Sequence, residues 1–201
     1  MKVLITGFEP FGNYTENSSW TVAVKVAAVG IDGVEIVASE LPVSFNRVAK
    51  VIREEVGKHN PDILLMLGQS AITDCIKLER VALNMMDSKS ADNDGFTPDE
   101  EPIYNNASSA LFTNVPIKKL CSVIEEESIK VKISNSCGLY VCNRLYYEAL
   151  TICNENPSVK AIFVHVPLPK REHKTICEKE TISIDCIVKA VVKSIESLKR
   201  K

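Results

Sequence analysis

Apolar residues along this chain occur in short continuous runs. These runs alternate with stretches in which apolar residues recur at the spacing of a helix. Four runs predict β-strands at residues 2–7, 34–38, 131–134 and 161–166, and a fifth, at 63–67, is apolar without interruption. An uninterrupted run of this length is typical of a strand that is covered on both faces of a sheet. Residues 72–87 predict further strand structure of a less regular kind.

Helices are predicted between these strands. Apolar residues recur at helical spacing from Phe45 to Val56, so this helix is expected to end near Gly57. Other helices are predicted to begin at Ser18 and Pro116 and to span residues 142–156 and 184–198. The polar stretch 88–108 predicts a long loop, and loops of that length in compact domains are often functional.

The alternation of strands and helices predicts an α/β fold. Connections of this kind favour neighbouring parallel strands, so we expect an α/β/α sandwich: a mostly parallel twisted sheet with helices on both faces. Residues 1–201 contain no repeat, low-complexity segment or linker, and their number suits a single domain.

Composition narrows the functional class. The formal net charge is −2, whereas proteins that grip a phosphate backbone are usually basic, so no nucleic-acid partner is expected. No apolar run reaches the roughly 18 residues that cross a bilayer, and the first seven residues predict a strand rather than a signal peptide. The seven cysteines include no C-x-x-C pair, so no zinc site is expected. Because no secretory signal is predicted, the cysteines are expected to be reduced thiols in a cytoplasmic protein.

Candidate chemistry is expected where strands end, because ligands of such sheets gather at the carboxyl ends of the parallel strands. Gln69 follows the strand at 63–67, and His165 lies near the end of the strand at 161–166. The other two histidines lie in polar, charged segments. His165 is therefore either a general base or a core residue hydrogen-bonded to backbone.

Cys142 is the candidate nucleophile. It opens the predicted helix 142–156, where the positive end of the helix dipole and the free N–H groups favour a thiolate and can hold an oxyanion. Cys137 lies five residues earlier in the approach segment and is the rival. The position at the helix start favours Cys142.

Glu79 is the candidate partner of the histidine. It lies among strand-like apolar residues, where a buried carboxylate needs a partner. The adjacent Arg80 would point to the opposite face of a strand, whereas a histidine from another strand would satisfy Glu79 and be held in one tautomer. The residues thus permit a triad of Glu79, His165 and Cys142. The alternative is a surface salt bridge for Glu79 and a Cys–His dyad.

Five segments, in order along the chain, together resemble a known family. They are Gly-Phe-Glu-Pro-Phe-Gly at 7–12, Glu-Arg-Val-Ala-Leu-Asn at 79–84, Asp-Asn-Asp-Gly at 92–95, Cys-Asn at 142–143 and Phe-Val-His-Val-Pro at 163–167. The family is pyroglutamyl-peptidase type I, also called pyrrolidone-carboxylate peptidase. The resemblance runs from Met1 to about Pro167 and more weakly through the last helix.

The resemblance implies a cysteine exopeptidase that removes an N-terminal pyroglutamyl (5-oxoproline) residue from small peptides. It implies that Glu79, Cys142 and His165 are the catalytic residues, that no cofactor or metal is used, and that the protein assembles as a homotetramer.

The resemblance also implies a pyroglutamyl pocket. Phe8 and Phe11 would form walls that face the ring, Asn17 and Gln69 would be partners of the lactam, and Val141 would lie beside the nucleophile. Pyroglutamate is a neutral, flat lactam without a free amine. Aromatic walls with one matched donor and acceptor therefore suit it.

The chain departs from the family pattern in places. Residues 70–73, Ser-Ala-Ile-Thr, follow Gln69 where the family often has Gly-Arg, and Lys89 aligns with a common arginine. Lysine keeps the point charge but loses the bidentate fork, so a role for this residue near the oxyanion predicts lower turnover. The charged, short segment 169–181 leaves the lid over the pocket unassigned.

Two other functions stay open at the level of sequence. The departures at 70–73 and Lys89 are compatible with a cysteine hydrolase that acts on another small amide or lactam. A non-catalytic flavodoxin-like binding module is the third interpretation, although the chain lacks a G-x-G-x-x-G fingerprint. Thiol alkylation distinguishes enzyme from module, and a substrate panel distinguishes the two enzymes.

Overall fold

A six-stranded sheet forms the centre of the molecule. The computed structural model describes residues 1–71, 73–168 and 182–199. The strands are β1 (Lys2–Phe8), β2 (Glu35–Leu41), β3 (Ile63–Ser70), β4 (Ile76–Glu79), β5 (Val81–Leu83), β6 (Ala110–Phe112), β7 (Val131–Ser134) and β8 (Lys160–Pro167). The main sheet has the order β2-β1-β3-β8-β4-β7, and β5 pairs with β6 in a separate antiparallel ribbon.

Strand direction changes once across the main sheet. Strands β2, β1, β3 and β8 are mutually parallel, β4 is antiparallel to β8, and β7 is parallel to β4. The predicted mostly parallel sheet is confirmed, with two reversed strands added at one edge.

Helices cover both faces of the sheet, as predicted. They are α1 (Ser18–Val29), α2 (Val48–His59), α3 (Ile117–Glu125), α4 (Val141–Glu155) and α5 (Ile184–Leu198). Side chains from α1, α3 and α5 share one apolar core, and side chains from α2 and α4 share the other. Successive residues of β3 alternate between the two cores: Leu65 lies in the first, and Leu64 and Met66 lie in the second. The continuous apolar run at 63–67 follows from this two-sided burial. Within the described residues, no helix is long and apolar enough to cross a membrane.

Several predicted boundaries differ from the structure. The helix expected to end near Gly57 continues to His59, and Asn60 ends it in a left-handed conformation with its N–H donating to Val56 O. Asparagine tolerates that conformation, so an internal glycine was not the stop signal here. Helix α4 begins one residue before Cys142, after the extended N-cap residue Tyr140.

Residues 73–87 and the loop at 88–108 have defined structures. Strand β4 ends at Glu79 and β5 begins at Val81, so the less regular stretch is two short strands. The loop is anchored by Asp92, whose Oδ1 accepts from the N–H groups of Asp94 and Phe96, both at 2.9 Å. The guanidinium of Arg47 binds both carboxylate oxygens of Asp94 at 2.8 Å, and this contact lowers the pKa of Asp94.

Candidate active site

Cys142 is the second residue of α4. The N-terminal end of this helix lies beside the carboxyl ends of β3 and β8. The N–H groups of Asn143 and Arg144 donate to Tyr140 O at 2.9 and 3.2 Å and close the first turn. The thiol lies over Gly68, because a Cβ atom placed on that glycine would be 3.1 Å from Cys142 Sγ. The half-buried thiol therefore lies at the positive end of a 15-residue helix.

His165 lies beside that thiol on β8, directly opposite Gly68 in the parallel register of β3 and β8. Its Nδ1 is 2.8 Å from Glu79 Oε1. A hydrogen bond at Nδ1 leaves Nε2 as the ring nitrogen that can exchange a proton with Cys142.

Glu79 is the last residue of β4 and is fully buried. It pairs with Phe163 across the antiparallel ladder, so it lies diagonally from His165 on the same face of the sheet. Arg80 does not compete for the carboxylate, since its guanidinium donates to Asn135 Oδ1 at 3.0 Å. The structure thus places Glu79 against the histidine rather than in a surface salt bridge.

The protonation of His165 follows from these contacts. Burial by itself lowers the pKa of His165, but hydrogen bonds to Cys142 and Glu79, together with their charges, raise it to about 9. The imidazolium form is therefore favoured at neutral pH. A cation in this position stabilises a neighbouring thiolate.

Cys137, the rival thiol, has a different environment. It is buried, and its Sγ donates to Asn143 Oδ1 at 3.4 Å. Burial foremost, with the charges of Glu79 and Cys142, raises the pKa of Cys137 well above its ordinary value. Cys137 therefore stays a neutral thiol, whereas Cys142 interacts electrostatically with His165 and contributes to the raised pKa of that histidine.

Asn143 is a supporting residue that sequence reasoning did not single out. It is fully buried, its Oδ1 accepts from Leu83 N at 2.9 Å, and its Nδ2 donates to Leu83 O and Met85 O, both at 2.8 Å. These bonds tie the first turn of α4 to β5 and so hold Cys142 in place. The available signal was an amide side chain among buried helix positions, where it must find partners.

A small pocket opens beside Cys142. It is lined by Phe8, Phe11, Asn17, Val43, Gln69, Tyr140, Val141 and Cys142. The lining is mostly apolar and aromatic, with two side-chain amides and the thiol as its polar groups. A flat, neutral ring with a few polar atoms matches such a surface.

The two amides of the pocket differ in what they can still bind. Asn17 is the N-cap of α1: its Oδ1 accepts from Ser19 N at 3.1 Å, and its Nδ2 donates to Glu9 O at 3.0 Å. Gln69 Oε1 accepts from Ser18 N at 2.8 Å, while its buried Nε2 has no hydrogen-bond partner among the described residues. Gln69 is thus the stronger candidate for donating a hydrogen bond to a ligand carbonyl.

Comparison with known proteins identifies the family of this chain. A family model described as pyroglutamyl peptidase matches residues 1–201. The chain belongs to the pyroglutamyl peptidase family. It is 39% identical to the pyrrolidone-carboxylate peptidase of Thermococcus onnurineus over 94% of each chain, and 39% identical to that of Thermosipho africanus over 98% of this chain and 97% of the relative. The crystal structure of pyroglutamyl peptidase I from Bacillus amyloliquefaciens superposes with a TM-score of 0.90 at 32% identity, covering 98% of this chain and 93% of that one.

Membership of the pyroglutamyl peptidase family confirms the resemblance drawn from the five sequence segments. The pocket is lined by all five residues that the resemblance assigned to it, which are Phe8, Phe11, Asn17, Gln69 and Val141. Lys89, which was assigned a role near the oxyanion, is exposed and is not among the residues that line the pocket. Among the residues that depart from the family pattern, Ile72 and the segment 169–181 lie outside the described residues.

Gly68 lies at a strand end that the sequence marked as a candidate position, but the sequence assigned no role to it. Its substitution tests the packing of this pyroglutamyl peptidase site. In Gly68→Ala the new Cβ would lie 2.6 Å from Phe163 Cζ and 3.1 Å from Cys142 Sγ, so one of them must move. If Cys142 is the nucleophile, displacement of its sulfur by a fraction of an ångström is expected to lower kcat at least about tenfold. Gly57→Ala is the matched control, because a Cβ there meets open space. Equal activity of the two variants would show that Gly68 does not position Cys142.

Proposed function

We propose that this protein hydrolyses the amide bond after an N-terminal pyroglutamyl residue of small peptides, with Cys142 as nucleophile, His165 as acid and base, and Glu79 as the orienting carboxylate. The observation that supports this most directly is the chain of contacts from Glu79 through His165 to Cys142 beside a pocket with aromatic walls. Membership of the pyroglutamyl peptidase family supports the substrate class.

Acylation begins with the thiolate of Cys142. Its sulfur attacks the pyroglutamyl carbonyl carbon, the C–S bond forms, and the carbonyl electrons move to oxygen. We assign the stabilisation of this oxyanion to the first N–H groups of α4, where the positive end of the helix dipole also acts. The tetrahedral carbon then expels the amine, which takes a proton from Nε2 of His165, and a thioester remains.

Deacylation reverses the role of the histidine. Neutral His165 takes a proton from water, the hydroxyl attacks the thioester, and the C–S bond breaks to release pyroglutamate and regenerate the thiolate–imidazolium pair. The buried carboxylate of Glu79 stabilises the imidazolium in both halves of the reaction and holds Nδ1 protonated.

The lining of the pocket supports selectivity for the lactam. Phe8 and Phe11 would contact the faces of the ring, and Gln69 Nε2 would donate to the lactam carbonyl. A free N-terminal amine would find no carboxylate among the residues that line this pocket. A charged amine would therefore lose its hydration without compensation.

The deciding experiment is hydrolysis of a pyroglutamyl arylamide by the purified protein. We expect release of the arylamine, inhibition by iodoacetamide, and no release from prolyl or glutaminyl arylamides. A preference for a different amide would favour the broader cysteine hydrolase, and no hydrolysis of any amide would favour a binding module.

Assembly is a separate prediction. We propose a homotetramer in a cytoplasmic setting, which the free thiols of the described residues and the exposed apolar side chains Val29, Met85 and Phe112 support. Apolar side chains left outside the two cores favour association between subunits. Light scattering is expected to give four times the chain mass, and a monomer at micromolar concentration would contradict the proposal.

A further inference from the structure

Two lysines lie in line with His165 across the reversed edge of the sheet. In the strand register Lys77 is directly opposite His165 on one side and directly opposite Lys132 on the other. Residues opposite each other across a ladder project from the same face. The neighbours of the lysines in sequence, such as Ile76 and Leu78, pack in the core of α1, α3 and α5, so the lysines lie on the face of His165.

These lysines carry charge that the described residues do not neutralise. Lys77 is half-buried and Lys132 is exposed, and the ammonium group of neither lysine makes a hydrogen bond or ion pair within the described part of the chain. Asp74 interacts with Lys132, but its carboxylate is bound foremost by Lys130, which lowers the pKa of Asp74. Glu79, on the same face, is engaged by His165. The edge beside the site is therefore cationic.

The order of the strands indicates which part of a substrate would meet this edge. Phe8 of β1 and Gln69 of β3 line the pocket for the pyroglutamyl ring, and His165 lies on β8, the next strand. Because His165 protonates the leaving amine, the leaving peptide continues away from the pocket, over β4 and β7. Lys77 lies one strand beyond His165, about 4.8 Å, and Lys132 lies two strands beyond, roughly 10 Å.

Those spacings match the first residues of the leaving peptide. An extended peptide advances about 3.3 Å per residue, so Lys77 is level with the first residue after pyroglutamate and Lys132 with the next one or two. Lysine, a flexible cation with three donors, is suited to a carboxylate whose position varies.

We propose that Lys77 and Lys132 form a leaving-group subsite that selects pyroglutamyl peptides with a carboxylate in the first two residues after pyroglutamate. The carboxylate belongs either to an acidic side chain or to the free C-terminus of a short peptide. This inference rests on the proposed peptidase function, which defines the direction of the leaving peptide.

The test compares substrates that differ only in charge. We expect kcat/KM for pyroglutamyl-glutamate amide to exceed that for pyroglutamyl-glutamine amide about two- to fivefold, the range of a partly exposed ion pair. Pyroglutamyl-alanine with a free carboxylate, compared with its amide, separates the C-terminal source from the side-chain source. A ratio between two substrates of one enzyme cancels any common change in catalytic power.

Substitutions at Lys77 and Lys132 test whether these residues cause the preference for a carboxylate. Lys77→Gln and Lys132→Gln are each expected to reduce the ratio toward one, and Lys77→Glu is expected to favour pyroglutamyl-lysine amide over the glutamine amide. Lys118→Gln, at an exposed position on α3, is the matched control and should keep the wild-type ratio. High salt should also reduce the ratio, because it screens exposed charge.

The outcomes separate this inference from the function on which it rests. Hydrolysis of the glutamine and glutamate amides at equal rates, or a ratio that Lys77→Gln and Lys132→Gln leave unchanged, would overturn the subsite and leave the peptidase intact. Failure to hydrolyse either amide would overturn the peptidase itself. Activity of each variant on the neutral amide shows that it is folded.

Discussion

Replacing Cys142 with serine is expected to abolish turnover of a pyroglutamyl arylamide while leaving the fold intact. A serine hydroxyl forms no anion near neutral pH, so the variant cannot form with His165 the ion pair that the thiolate of Cys142 forms. Loss of a nucleophile typically lowers kcat by several orders of magnitude. The measurement is a progress curve at high enzyme concentration, with a thermal melt to show that Cys142→Ser is folded. Retention of more than about a tenth of the activity would reject Cys142 as the nucleophile.

Cys137→Ser is the matched control. The serine hydroxyl can still donate to Asn143 Oδ1, the acceptor that Cys137 Sγ contacts at 3.4 Å, so the support of the first turn of α4 is kept. We expect activity close to wild type. If Cys137→Ser alone were inactive, the nucleophile would be the wrong cysteine.

Glu79→Gln is expected to lower kcat about 10²- to 10⁴-fold with little change in KM. The amide keeps the shape of the carboxylate but removes the charge that stabilises the imidazolium. Its NH₂ group can also donate to Nδ1, which selects the tautomer that cannot take a proton at Nε2. Because Glu79 is not among the residues that line the pocket, the loss is expected in kcat rather than in substrate binding.

The pH profile distinguishes this role from a structural one. Glu79 raises the pKa of His165, so its replacement lowers that pKa from about 9. The imidazolium is then lost at lower pH, and the alkaline limb of kcat/KM should move toward neutral pH. An unchanged alkaline limb, or a harmless Glu79→Gln, would leave a Cys142–His165 dyad in place of the triad.

Sequence patterns predicted the architecture because buried positions are occupied by apolar residues, and the spacing of those residues follows the secondary structure. The uninterrupted apolar run at 63–67 indicates a strand with a core on each side, and the two cores around β3 are the cause. The reversal of β4 and β7 leaves no such imprint, since a short strand of either direction presents the same alternating side chains. Strand direction is fixed by connections and pairing partners, which no local pattern records.

The candidate site divides in the same way. His165 and Cys142 were proposed from their surroundings in the sequence: an imidazole in an apolar strand and a thiol at a helix start. Asn143 and Gly68 were not, because their roles depend on partners far along the chain, Leu83 and Phe163. Lys89 was assigned from a resemblance alone, and its exposed position gives that assignment no support from contacts.

The reversed strand also determines which parts of the protein can be exchanged. Glu79 and His165 come from adjacent antiparallel strands, so their separation is set by the backbone ladder of β4 and β8 and not by any loop. The pocket, by contrast, takes Phe11 and Val43 from connecting segments. Grafting those segments from a relative should therefore transfer substrate preference while the contact between Glu79 and His165 stays unaltered. A library confined to these connections would vary what is cut without touching how it is cut.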